Sequence, residues 1–104
     1  MNILIVDGQG GGIGRQLIEA LRERLPEAEI TAVGTNAFAT SAMLKAGARR
    51  AATGENAAIV ASRAADVIAG PVGIVIADAL MGEVTPAMAV AVAQSRARKV
   101  LIPV

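Results

Sequence analysis

The sequence predicts a three-layer α/β domain in which a parallel sheet of about five strands, ordered 3-2-1-4-5, is covered by helices on both faces. Three observations carry that prediction. Short apolar runs suited to strands buried on both faces alternate with segments of helical period. At 104 residues the chain accommodates one domain with a single core, residues 1–104, and no second substrate domain. Hydrophobic residues make up 54% of the chain but Phe38 is its one aromatic. The core must therefore be built from Ala, Val, Ile, Leu and Met, which lets thin helices pack closely on a parallel sheet.

Residues 2–6 form a continuous apolar run, the first strand, and residues 13–25 then change to helical spacing. Ile13, Leu17, Leu21 and Leu25 recur every four residues beside Ile18, with Arg15, Arg22, Glu23 and Arg24 mainly on the other side. Pro26 ends that helix. Residues 29–33 read as the second strand, Gly34-Thr35-Asn36 as a loop, and residues 37–46 as a second helix closed by Gly47. A short strand at residues 50–52 precedes the turn Thr53-Gly54-Glu55, and residues 56–65 have the composition of a third helix. Residues 66–69 form the next strand, halted by Gly70-Pro71. Residues 72–80 fit either a strand, from their β-branched side chains, or a buried helix, from the need for a crossover before the last strand; the helix is preferred. After a break at residues 82–85, Thr85 caps a fourth helix that starts on Pro86 and runs to Gln94, and residues 99–104 are the last strand. Alternating strands and helices imply parallel strands joined by right-handed crossovers.

The most constrained stretch is Asp7-Gly8-Gln9-Gly10-Gly11-Gly12-Ile13-Gly14, in which five of the seven residues after Asp7 are glycine. A strand that empties into such a turn and then a helix exposes backbone N–H groups at a helix N-terminus, where the macrodipole also favours an anion. In that reading Gly8 permits the tight exit, Gly12 lets a pyrophosphate approach the backbone, Gly14 allows close packing, and Ile13 plugs the helix into the core. A plain structural turn explains one or two glycines, and five are harder to explain that way. The triphosphate loop is excluded, because no G-K-[ST] follows and the first lysine is Lys45. Asp7 stands where it would repel a phosphate, so it either braces the loop through the loop's own N–H groups, binds a ribose hydroxyl or holds a magnesium ion with the ligand's phosphates.

In a dinucleotide site the residue that reads the adenosine ribose lies about 20 residues beyond the glycines, at the end of the second strand. Gly34-Thr35-Asn36 stand there, with no acid for NAD and no arginine for NADP. Thr35 and Asn36 can bond a ribose or phosphate, and both are equally ordinary loop and helix-capping residues. For acid–base work the candidates are Asp66, Asp78, Glu55 and Glu83; Asp78 and Glu83 lead because they follow Gly70-Pro71 on the side where open parallel sheets bind ligands.

The spacing of Gly8, Gly12 and Gly14, G-x-x-x-G-I-G, resembles the cofactor loop of short-chain dehydrogenases. Their tyrosine–lysine relay cannot exist here, because the chain has no tyrosine. The order D-V-I-A-G-P, an Ala-rich stretch to Met81-Gly82, then K-V-L-I-P-V resembles flavin-dependent cysteine decarboxylase-type flavoproteins, which implies that Gly70, Pro71 and the glycine loop flank one ligand such as FMN. The family's active-site histidine is missing. Over its whole length the chain resembles a family of short bacterial Rossmann-like proteins of unknown function, through residues 7–14, 34–47, 52–57 and 70–78. Members of that family continue beyond the position of Val104, which implies a C-terminal segment outside this chain.

Composition removes other classes. Histidine, cysteine and tryptophan are absent, so thiol catalysis, disulfides and Cys/His zinc sites are excluded, and no metal site is expected. Ten basic against nine acidic residues make no field for nucleic acid, and Arg96, Arg98 and Lys99 read as a solvated helix end. No apolar stretch reaches the roughly 18 residues of a membrane span and no signal peptide is evident, so a cytoplasmic protein is expected. The last strand offers an apolar edge, which points to a homodimer. The functional expectation is a domain that binds a nucleotide-like small molecule, with NAD(P) or FMN as cofactor candidates, and acts as sensor, carrier or partner-dependent subunit. The alternatives are a small oxidoreductase or flavin-dependent enzyme in which the cofactor carries the chemistry, and a structural module that binds nothing.

Overall fold

A computed structural model describes all of Met1–Val104. Five strands form one parallel sheet, β1 (Asn2–Asp7), β2 (Glu29–Gly34), β3 (Arg50–Thr53), β4 (Val67–Pro71) and β5 (Arg98–Ile102), in the order β3-β2-β1-β4-β5. β1 is central, pairing with β2 from Asn2↔Glu29 to Asp7↔Gly34 and with β4 from Ile3↔Val67 to Ile5↔Ala69. The order reverses between β1 and β4, so the crevice beyond their C-terminal ends is the switch point where ligands bind in such sheets.

Alternation along β1 feeds two cores. Ile3 and Ile5 pack with Ile18, Ile30, Ala39 and Met43 beneath α1 (Gly12–Arg24) and α2 (Ala37–Lys45). Leu4 and Val6 pack on the other face with Val33, Ala58, Ile68, Met88 and Val92 beneath α3 (Glu55–Ala64) and α4 (Pro86–Gln94). Every residue of β1 from Ile3 to Asp7 is buried, which is why the strand reads as an unbroken apolar run. Thr85 caps α4 by accepting from Met88 N–H, and Pro86 stands at the helix start, as its fixed φ favours.

The segment after β4 departs from expectation. Instead of a helix over residues 72–80, one 3₁₀ turn, Val72–Val75, leads into an irregular loop that lasts until Thr85. Val72, Val75 and Ile76 are β-branched and Gly73 interrupts them, so helix formation is weak there, and α4 supplies the crossover instead. Asp78, Leu80 and Met81 take positive φ of 68, 55 and 58°, a conformation that costs roughly 1–2 kcal/mol for an L side chain. No helix is long and apolar enough to cross a membrane.

Candidate functional site

β1 ends on Asp7, whose side chain is buried at 4% exposure under the glycine loop. Its Oδ1 accepts from Gly8 N–H and its Oδ2 from Gly14 N–H, both at 2.7 Å. Burial pushes the Asp7 carboxyl above its ordinary value; the amides of Gly14, Gly8 and Ile13 pull it back, and the nearby charge of Glu83 raises it further. Of the three roles open to Asp7, the loop-bracing one matches this geometry. Both carboxylate oxygens are engaged by the loop that follows.

The five glycines separate into two groups. A Cβ on Gly14 would lie 2.5 Å from Met43 Sδ of α2, and one on Gly8 would lie 2.6 Å from Thr35 Oγ1 and 2.8 Å from both Glu83 Oε1 and Leu80 Cδ1. Gly11 has φ +73° and presses against the Ala39 backbone. These three are required by close approach or by backbone conformation. Gly10 and Gly12 are not: neither has a positive φ, and a Cβ on either would meet nothing within 4 Å. Their N–H groups find no acceptor in the protein and stand at the N-terminus of α1.

Three further side chains close on the loop. Glu83, from the irregular loop before α4, accepts through Oε1 from Gln9 N–H at 2.7 Å, from Thr35 Oγ1–H at 2.6 Å and from Asn36 Nδ2–H at 3.1 Å. The Gln9 amide and the Thr35 hydroxyl hold the Glu83 carboxyl below its ordinary value, so it is ionised at neutral pH. Asn36 also caps α2 by accepting from Ala39 N–H, and donates to the Gln9 carbonyl. Asp7, residues 8–14, Thr35 and Asn36 are thus brought together as expected, and Glu83 joins them from 48 residues beyond Thr35.

The remaining candidates lie differently. Gly70 and Pro71 end β4 across the crevice from the loop, and Gly70 is required because a Cβ there would strike the Val6 carbonyl. Leu80 lies against Gly8 and Gly73, between the two sides of that crevice. Asp78 is a turn residue whose backbone bonds Val84 and Gly82, and its carboxylate makes no hydrogen bond to the protein. Glu55 accepts from the Thr85 hydroxyl, joining the starts of α3 and α4. Asp66 accepts from Asn2 N–H at the opposite end of the strands, so it is not a site residue. No group of three His, Cys, Asp or Glu side chains assembles as a metal site. Lys99 donates to the Ser95 carbonyl just past the end of α4, but the basic cluster is not a helix end: Arg98 and Lys99 begin β5, and Arg96 alone stands in the exposed turn between α4 and that strand. A cavity of about 430 Å³ lies away from the loop, between α3 and the start of β1, the middle of β2 and β3.

A model of a domain-of-unknown-function family, DUF3842, matches residues 2–104. The chain belongs to the DUF3842 family. That agrees with the whole-length resemblance read from its motifs. No curated protein sequence matches this DUF3842 domain. Among solved structures it is similar to a dodecameric FMN-dependent UbiX-like decarboxylase from Escherichia coli O157:H7, with a TM-score of 0.56 and 23% identity. The match covers 98% of this chain and 65% of that one, so the DUF3842 chain spans a little under two thirds of its neighbour's length. At that identity the likeness shows the Rossmann-like fold with its 3-2-1-4-5 sheet, and the fold alone.

Proposed function

We propose that this DUF3842 domain binds a phosphate-bearing, nucleotide-type small molecule over the open side of its glycine loop. It then acts as a sensor, a carrier or a subunit that needs a partner. The observation that carries this reading is the pair Gly10 and Gly12. Neither packing nor φ requires glycine at either position, and a glycine carries a conformational-entropy cost that a side chain would lower. What the two share is an N–H with no acceptor in the protein and open space in place of a side chain, on either side of the Gly11 cap that starts α1, the arrangement that receives phosphate oxygens.

FMN, NAD and NADP all carry a phosphate that these amides can hold. The FMN dependence of the UbiX-like neighbour makes FMN a natural first probe. The ring end fits less well, because Leu80 and Glu83 lie against Gly8 in the crevice at the β1–β4 switch point. The choice of sensor or carrier over enzyme rests on the loop standing without a tyrosine, histidine or cysteine anywhere in the chain.

A thermal-shift panel of FMN, FAD, NAD, NADP, ATP, GTP and coenzyme A tests the reading. A ligand at 100 times its Kd should stabilise the fold by about 2.7 kcal/mol. Gly12→Ala should leave the unliganded domain as stable or about 0.5 kcal/mol more stable, while abolishing the ligand-induced shift. Absence of a shift with every compound, or an undiminished shift in Gly12→Ala, would falsify the phosphate reading.

A further inference from the structure

The geometry points to Glu83 as the residue that selects the ligand's sugar: it accepts from an unsubstituted ribose hydroxyl and turns away a phosphate at that position. This rests on the phosphate reading of the glycine loop. The two oxygens of Glu83 do different things. Oε1 takes three hydrogen bonds, from Gln9 N–H, Thr35 Oγ1–H and Asn36 Nδ2–H, and so is fixed from two separate loops. Oε2 takes no hydrogen bond from the protein. A carboxylate only accepts when ionised, and it offers about four lone-pair sites, so Oε2 presents an oriented acceptor with unused capacity. The partner it suits is a donor, and a sugar hydroxyl is the donor a phosphate ester brings with it.

Position supports the same identity. Thr35 and Asn36 follow the end of β2, where the ribose of a nucleotide lies when its phosphate is on the β1–α1 loop. No acid follows β2 in sequence, and the structure supplies one there from the loop before α4. Gln9, whose amide anchors Glu83, immediately precedes Gly10, so the acceptor and the bare amides are neighbours along one turn. A second phosphate on the ribose would face the carboxylate directly, with no arginine bonded in this cluster to offset the repulsion.

The test compares NAD with NADP by titration calorimetry, since the two differ only in the ribose 2′-phosphate. The wild-type domain should bind NAD at least tenfold more tightly than NADP. In Glu83→Gln the amide carbonyl keeps the anchored position and an NH₂ donor replaces Oε2, so NAD should weaken about tenfold and NADP should gain. Glu83→Ala, which removes the carboxylate without adding a donor, should bring the two affinities together. Equal binding of NAD and NADP by the wild type, or an unchanged ratio in either variant, overturns the role of Glu83 and leaves the phosphate reading intact. Binding of FMN alone, which has no ribose, has the same consequence. Binding of no phosphate compound at all brings down the phosphate reading, and this inference with it.

Discussion

Asp7 shows how one residue can be structural at the centre of the glycine loop. Its buried carboxylate satisfies the N–H group of Gly14, which the first turn of a helix otherwise leaves without a partner, and that of Gly8 in the turn before it. Asp7→Ala should therefore destabilise the domain by about 1–3 kcal/mol, the cost of leaving buried donors unsatisfied. The pH dependence has a definite sign. Because burial raises the folded-state pKa of Asp7, the folded protein holds that proton more tightly than the unfolded chain. Its contribution is full below the ordinary carboxylate range and is lost as pH rises through the raised value. The gap between wild type and Asp7→Ala should thus widen as pH falls from neutral toward about 4, measured by urea denaturation at a series of pH values. A constant or shrinking gap would show that the amides of Gly14, Gly8 and Ile13 outweigh burial at the Asp7 carboxyl. The glycine run at residues 8–14 was legible in the sequence as the turn between β1 and α1, but its division of labour was not. Gly8 and Gly14 are fixed by side chains of Thr35, Glu83, Leu80 and Met43, which come from elements that only the fold brings near.

At the level of the element, residues 76–85 are the part that local pattern could not describe. Turn prediction relies on Gly, Asn and Asp at left-handed positions, and here Leu80 and Met81 occupy two of them. The segment holds this form through tertiary contacts: Leu80 packs at Gly8 and Gly73, and Glu83 is bonded to three donors beyond the loop. The strain is therefore offset by interactions that no window of sequence contains. Met81 is 94% exposed with φ 58°, so its side chain contributes little to balance its conformation. Met81→Gly should stabilise the domain by up to about 1 kcal/mol, less the entropy that glycine restores to the unfolded chain. A chemical denaturation midpoint that moves down would show that the left-handed conformation at Met81 is absent in solution. By contrast the regular elements were read almost to their ends, because β1 is buried on both faces and α1 is amphipathic, so each carries its period in its own residues.

For the whole molecule, topology followed from that alternation, since parallel strands with right-handed crossovers leave few arrangements. What the molecule does with its edges is a separate question. Its accessible surface of 5581 Å² is close to the roughly 5,400 Å² of a compact monomer of this mass, so the single chain is as compact as a monomeric domain. Yet β5 pairs only with β4, and α1 packs over β1 and β4, leaving β5 open on that side. Val100, in register with Ala69, is 45% exposed there, and Ile102 follows two residues on. The charged residues Arg98 and Lys99 stand at the start of that strand and protect it from indiscriminate edge pairing. An apolar face next to a charged edge suits a symmetric contact through the face, in which each copy covers the same patch on the other. We therefore expect the domain to form a homodimer at micromolar to near-millimolar concentration, measured by light scattering after size-exclusion chromatography. Val100→Lys places a charge on that patch and should return the protein to a monomer while leaving the stability of the dilute single chain unchanged, because Val100 is only half buried there. A wild type that stays monomeric over the whole range sinks the expectation, and a Val100→Lys variant that still dimerises moves the contact away from β5.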